Sequence, residues 1–519
     1  MSKRNIARAT TIVTLLGIVA KIMGFVREQL IAWFFGATGP TDAYMVALAI
    51  PTVLSGLISD PICTSFLPVF TTYLNQKDRK DTSKLASSVI TLSVGAFLLI
   101  GIMAIPFAPN LVSLFAPGFS GEIFDISVTL TRIFFPAFAL PLLAALFKAI
   151  LNSHKEFTIP GLGPFVQNVA IVVLVALLAP NFGVLALGIA TMAGYLAHVL
   201  IQVPAVRRTG LDLKPRIAFD EGTKTVLKLA IPMVLGGLAG QTCAMIEKNL
   251  ASRLPSGSIS ALGFANRLRS LPTDLFIVAV ATVIYPSLSE MWARRDKSGM
   301  GDIWLTGVEY AIFLCVPSTV GFIILAQPLV RLVFERGAFT PEATILTASA
   351  LSVYSIGIVA NAISRLVKTG FYSTQDTWKP VILTTVTSVL NIGLAVILVE
   401  PLGHLGLALA NVLSFWVSAI VGVWMYRKYI YEFPLRKLLG SALKILASSL
   451  LMAVFTWTAA HYSGFLAGTG SFKSDLLLGL LVIGGSVIVY LASALLLKCE
   501  EIVLIKSLLK EKIKKGEDI

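Results

Sequence analysis

The chain has 519 residues, of which 56% are hydrophobic and only 13% charged, with a mean hydropathy of +0.83. Soluble domains average about 25% charged residues, so this composition excludes a soluble globular protein and specifies an integral membrane protein. The formal net charge of +14 does not point to nucleic acid, because the basic residues cluster mainly in short loops between apolar segments, as the positive-inside rule requires.

In chain order, the N-terminus MSKRNIARATT runs into a long apolar segment without an A-x-A cleavage site, which predicts a retained first helix. Fourteen segments reach the ~20 residues needed to cross the hydrocarbon core. They are 9–34, 42–74, 84–107, 126–152, 160–179, 183–205, 223–252, 259–292, 302–325, 341–372, 379–399, 404–426, 440–460 and 476–498. Loop charges set their orientation. Lys3, Arg4 and Arg8 precede the first span, and Lys77, Arg79, Lys80 and Lys84 follow the second. Arg207, Arg208, Lys214 and Arg216 follow the sixth, and further basic groups follow the eighth and twelfth. The tail adds Lys506, Lys510, Lys512, Lys514 and Lys515. The intervening loops are poor in Lys and Arg, except for Arg331 and Arg336, so both termini are expected in the cytoplasm.

The chain also repeats itself. FLPVFTTYLNQKDRK (66–80) parallels IYPSLSEMWARRDKS (284–298) at an offset of 218, and LVSLFAPGF parallels LVRLVFERGAF. Lys148 and Lys368, Ser153 and Ser373, Pro160 and Pro380, and Gly183 and Gly403 pair at 220. Six spans separate the copies, so both lie in the same orientation, as in transporters built of two six-helix halves. The predicted fold is an all-α polytopic membrane protein of about 14 transmembrane helices. Its expected divisions are an N-lobe (1–208, helices 1–6), a cytoplasmic linker (209–222), a C-lobe (223–430, helices 7–12) and a C-terminal part (431–519) with two extra helices and the basic tail.

An ionised residue at the centre of a bilayer helix costs about 2.5–3.5 kcal/mol on insertion scales. The first span nevertheless carries Lys21, Arg27 and Glu28, with Asp42 just beyond. Together they are expected to line a cavity for an anionic ligand. Lys21 and Glu28 are seven residues apart and share a helix face, as do Arg267 and Asp274 in the eighth span. Arg365 and Lys368 are neighbours at i, i+3 and call for counter-charges or an anionic ligand. Asp78 and Asp296, in basic loops, read as helix caps or loop ion pairs, and Glu247–Lys248 reads either as a packed pair or as functional. Cys63, Cys243, Cys315 and Cys499 form no CxxC pair, and the four histidines form no HExxH pattern, so no metal site is expected. No catalytic motif and no GxxxxGK[ST] loop occurs, so no enzyme activity and no cofactor is expected. Transport would draw on the membrane potential, an ion gradient or the substrate's own gradient.

The stretch GFVREQLIAWFFGATGPTDAYMVALAIP, with FLPVF after it, resembles the opening of the MurJ (MviN) lipid II flippases of the MOP exporter superfamily. NLASRLPSGSISALGFANRLRSLP and VAVATVIYPSLSE resemble their helix 7–8 region. The resemblance implies a bacterial cytoplasmic-membrane protein, acting in peptidoglycan biosynthesis. Such proteins move the undecaprenyl-pyrophosphate-linked precursor from the inner to the outer leaflet by alternating access, with helices 13 and 14 forming a groove for the lipid tail. It also implies the lipid-linked precursor, membrane lipids and the cell-wall synthesis machinery as partners. The cavity arginine of GFxR corresponds to Arg27, the basic residue six positions earlier to Lys21, the acidic residue of the DA motif to Asp42, and the arginine of A-[DN]-R-L to Arg267. These match a pyrophosphate clamp, with Asp42 and Glu28 orienting or gating it. Two positions depart from the family. Ser55 stands where many members have an arginine, so either another cation substitutes or the substrate is another undecaprenyl-linked glycan, such as a teichuronic acid or exopolysaccharide unit. The positions of a proposed sodium site correspond to Glu247, Asn391 and Ala395, the last lacking the family's carboxylate.

Overall fold

The computed structural model describes residues 3–433, 435–468 and 471–502, with the backbone alone for 3–14, 435 and 437. The basic tail from Lys506 to Lys515 lies outside them. Among the described residues the structure is helical and has no strand. The helices are α1 (Lys3–Phe35), α2 (Gly39–Gln76), α3 (Arg79–Ala104), α4 (Ala108–Phe115), α5 (Gly121–Ala137), α6 (Ala139–Ser153), α7 (Thr158–Phe182) and α8 (Leu185–Arg208). Then come α9 (Glu221–Ala251), α10 (Ser258–Pro272), a π-helical turn (Thr273–Ile277), α11 (Val278–Ala293), α12 (Lys297–Ile324) and α13 (Ala326–Phe334). The remainder are α14 (Pro341–Ser355), α15 (Ile358–Ser373), α16 (Trp378–Leu402), α17 (His404–Tyr429), α18 (Leu435–Tyr462) and α19 (Phe472–Leu496).

Among the described residues twelve helices are long and apolar enough to cross a membrane, or thirteen when α14 and α15, bent by 47°, count as one span. The charged α1, 33 residues long, occupies the place of the first predicted span. The predicted fourth span, Gly121–Ser153, counts as one span interrupted at the single residue Phe138 between α5 and α6, while the tenth is broken at 356–357 between α14 and α15. These breaks fall at equivalent places in the two copies of the repeat. Pro136 sits inside α5 just before the first break and Pro141 in the first turn of α6 beyond it, and a proline there removes a helical hydrogen bond. The paired motifs LVSLFAPGF and LVRLVFERGAF fold alike, forming the short helices α4 and α13. The eighth span is continuous in the chain but passes through the π-helical turn directly after Pro272.

Packing divides the chain into two compact units. The first comprises Met1–Ser260 with Arg336–Thr340, and the second Ala261–Glu335 with Pro341–Ile519. In the first, α1 packs on α7, α7 on α8, and α2 on α5, α6 and α9. The repeat divides the chain at 209–222, whereas packing places α9 with α2. In the second unit α12 packs on α15 and α18, α16 on α17 and α18 on α19. Its core stacks Trp304 on Tyr426, with ring centroids 4.1 Å apart, and the indole N–H donates to the Leu366 carbonyl.

Caps hold several helix ends. Asp220 accepts from the Thr223 N–H at 3.0 Å and starts α9. Asp296 accepts from the Gly299 N–H at 2.8 Å, which holds its carboxyl below the ordinary value, so this cap is present at neutral pH and is lost only as acid protonates it. Asp78, at the matching place before α3, makes no side-chain cap.

The α1–α2 turn is shaped by Gly36, whose φ of +63° lies in the left-handed region. The segment 336–340 docks on it. The Ala338 N–H donates to the Trp33 carbonyl at 2.8 Å, and a Cβ on Gly36 would lie 2.3 Å from the Ala338 oxygen. Gly36→Ala should therefore lower stability by about 1–3 kcal/mol. Thermal unfolding in detergent checks this, and an unchanged midpoint would show that the turn relaxes freely.

Candidate functional site

In the first unit α1 carries Lys21, Arg27 and Glu28. Arg27 lies on the stretch of α1 that packs against α7, and its guanidinium is fixed at two corners. Nη2 donates to Glu28 Oε1 at 2.6 Å, and Nη1 donates to Asn168 Oδ1 on α7 at 3.0 Å. Asn168 is itself held, because its amide nitrogen donates to the Pro164 and Ala20 carbonyls. A guanidinium has five N–H donors, so these two bonds orient the group without exhausting it. The Nε–H has no hydrogen-bond partner among the described residues. Side-chain exposures of 22% for Arg27 and 15% for Glu28 make this a part-buried ion pair. Removing one member of a buried pair leaves an uncompensated charge, which is the costly event. Lys21 lies two turns before Glu28 on the same helix and is exposed. Ser55, in the place of the family's further arginine, donates to the Ser59 hydroxyl within α2.

Asp42 follows a different logic. It is 3% exposed in the first turn of α2, and both carboxylate oxygens accept backbone N–H groups at 2.7 Å, from Gly257 and Ser260. A carboxylate at the first turn of α10 also meets the positive end of the helix dipole. A cavity of about 100 Å³ lies beside it, with Ser120, Ser252 and Ser256 in its lining. Lys248 lies within electrostatic reach of both Asp42 and Glu247, so the Glu247–Lys248 pair belongs to this neighbourhood.

In the second unit Arg267 is part-buried on α10, and no carboxylate pairs with it among the described residues. Arg269 is held by neutral acceptors, Asn266 Oδ1 at 2.6 Å and Asn411 Oδ1 at 3.2 Å, and lies 4.8 Å from the centre of the Tyr354 ring. Asp274, expected on a stripe with Arg267, lies 3.9 Å from Arg365. The π-helical turn beginning at Thr273 changes the helical phase just before it. Asp274 thus supplies a counter-charge for Arg365, and both line a polar cavity of about 190 Å³ with Arg269 and Asn361. Asn391, on α16, is buried, as is Ala395 one turn on. Glu247 belongs to the first unit and Asn391 to the second.

The second unit also carries an apolar cavity of about 350 Å³. It lies among the π-helical turn, α12, α18 and α19, with Phe276, Pro317, Met452 and Val487 in its walls. Sequence reasoning missed Asn168. The signal was there: Gln167 and Asn168 are adjacent amides within an otherwise apolar helix.

Asp42→Asn keeps the shape but turns an amide N–H toward a backbone donor. The expected loss is about 1–3 kcal/mol in thermal unfolding, and a wild-type midpoint would show that the two bonds to 257–260 contribute nothing.

Comparison with known proteins adds a family. The family described as lipid II flippase MurJ matches residues 31–477. The lipid II flippase MurJ of Burkholderia cenocepacia is 29% identical over 472 residues, covering 88% of this chain and 91% of the relative. A probable lipid II flippase MurJ of Vibrio cholerae is 28% identical and covers 96% of this chain and 97% of the relative. A solved structure of lipid II flippase MurJ in an inward closed conformation superposes with a TM-score of 0.78 at 25% identity, covering 93% of this chain and 97% of that one. An inward-facing multidrug resistance MATE family transporter of the MOP superfamily shares the fold, with a TM-score of 0.71 at 16% identity over 81% of this chain and 98% of that one.

Proposed function

The chain belongs to the lipid II flippase MurJ family, and from that membership we propose how its residues serve transport. It is a lipid II flippase of the membrane. It moves the undecaprenyl-pyrophosphate-linked peptidoglycan precursor from the inner to the outer leaflet by alternating access. Its residues work as a transporter's, without bond-making chemistry.

The observation that carries the residue assignment is the guanidinium of Arg27, held by Asn168 and Glu28 with donors to spare. An arginine fixed in this way recognises a phosphate by directed, charge-assisted bonds. In the first unit Arg27 and Lys21 would take the pyrophosphate, and Glu28 would orient Arg27. In the second, Arg267 would be the phosphate-binding cation. Asp42 would gate by holding or releasing the backbone at 257–260. The apolar cavity beside α18 and α19 suits the prenyl tail.

Both termini would face the cytoplasm, as the loop charges require. The membrane potential supplies about 2.3 kcal/mol per elementary charge per 100 mV, enough to bias one step. An ion gradient acting at Glu247 and Asn391 is the alternative source. The cell-wall synthesis machinery, which uses the product in the outer leaflet, would be the protein partner. Ser55 favours a second reading, in which the cargo is another undecaprenyl-linked glycan such as a teichuronic acid or exopolysaccharide unit.

Complementation separates these readings. The wild-type chain should restore growth to cells depleted of their own lipid II flippase. Arg27→Ala, made at equal membrane abundance and thermal stability, should not. Loss of one charge-assisted hydrogen bond costs about 1.5–3 kcal/mol, or roughly ten- to a hundredfold in transport. Normal growth on Arg27→Ala would overturn the clamp. Failure of the wild type, with rescue of a different glycan pathway, would favour the second reading.

A further inference from the structure

The first unit carries a basic groove that the transport reading does not use. Its floor is built from an extended stretch, residues 211–219, lying along α3. Three hydroxyls at helical spacing on α3 hold alternate residues of that stretch by their backbone. The Asp212 N–H donates to Ser83 Oγ at 3.2 Å, the Lys214 N–H to Ser87 Oγ at 3.2 Å, and the Arg216 N–H to Thr91 Oγ1 at 3.0 Å. Arg79 ties down the start of the stretch by donating to the Thr209 carbonyl at 3.1 Å. Spacing by four on the helix matches spacing by two on an extended backbone, since each advances about 6–7 Å.

This docking leaves Asp212 and Lys214 exposed and Arg216 part-exposed. Arg79, Lys80, Lys84, Lys214 and Arg216 border a cavity of about 570 Å³. Two carboxylates partly offset them: Asp81 pairs with Lys84 at 2.6 Å and Asp212 with Lys214 at 2.7 Å. A positive excess remains. Positive-inside topology accounts for basic residues in a loop but not for a built groove. The second half shows the difference. At an offset of 218 the three hydroxyls become Gly301, Leu305 and Glu309, and the Tyr431 ring packs against Gly301.

A second observation names the kind of ligand. Ile217 and Phe219, on the same stretch, are 79% and 58% exposed. Apolar side chains beside a cation cluster match an interface where headgroups meet acyl chains. We propose that this groove binds the phosphodiester headgroup of an anionic phospholipid, with Ile217 and Phe219 set among its acyl chains. The lipid would anchor the 211–219 connection at the membrane surface.

The test uses the full-length protein in detergent, titrated with phosphatidylglycerol, phosphatidylcholine or inorganic phosphate, with adducts counted by native mass spectrometry. Lys84→Gln/Lys214→Gln/Arg216→Gln should weaken the tightest phosphatidylglycerol adduct by roughly tenfold or more, at about 1 kcal/mol per basic residue near a surface. Phosphatidylcholine adducts should not change. The docking bonds come from backbone N–H groups, so the substitutions leave them in place. Ile217→Ser/Phe219→Ser keeps every charge and provides a second arm. It should weaken phosphatidylglycerol but not inorganic phosphate. Wild-type phosphatidylglycerol binding by the triple variant would overturn the site. Unchanged lipid binding by Ile217→Ser/Phe219→Ser, with inorganic phosphate competing as well as lipid, would replace the lipid by a free phosphate.

Discussion

The placement of charge in an apolar chain is the constraint on which this structure turns. An ionised side chain facing hydrocarbon without a partner is costly enough to decide how helices meet. Arg27 meets that constraint with a neighbouring carboxylate and an amide from α7, so the contact that satisfies the charge also fixes α1 against α7. Asp42 meets it with two backbone N–H groups, and thereby fixes the start of α2 against the turn at 257–260. In the second unit Asp274 offsets Arg365, while neutral amides and a tyrosine ring hold Arg269. The same few residues therefore organise the packing and supply the polar chemistry.

The helical plan was legible because long apolar runs and loop charges are local signals. The repeat was legible too, including the paired motifs LVSLFAPGF and LVRLVFERGAF, although their folding as the short helices α4 and α13 was not. The partners of the charges were less so. Arg27 and Asn168 are 141 residues apart, and Asp42 and Ser260 are 218 apart, so no helical periodicity could join them. Periodicity could relate Asp274 only to Arg267 on its own helix, and could not find Arg365, 91 residues on, or the π-helical turn that carries Asp274. The hydroxyls Ser83, Ser87 and Thr91 carry no sequence signal of their own, because they accept from backbone N–H groups 129, 127 and 125 residues further along the chain.

The functional picture joins these levels. Two copies of one six-span plan each carry a helix interruption at an equivalent place, one residue long at Phe138 and a 47° bend at 356–357, yet their side chains have diverged. The first unit keeps an oriented guanidinium and a basic surface groove, while the second has a polar pocket with two arginines and an apolar cavity beside its last helices. Under the proposed clamp, Ser55 brings no charge to α2, and phosphate recognition would fall to Arg27, Lys21 and Arg267.

The most direct measurement is the leaflet accessibility of lipid II in cells depleted of this protein. Lipid II should become inaccessible to a membrane-impermeant enzyme added from outside, and accumulate in the inner leaflet, as the protein is removed. Unchanged outer-leaflet lipid II after full depletion, in cells with no second lipid II flippase, would contradict the account.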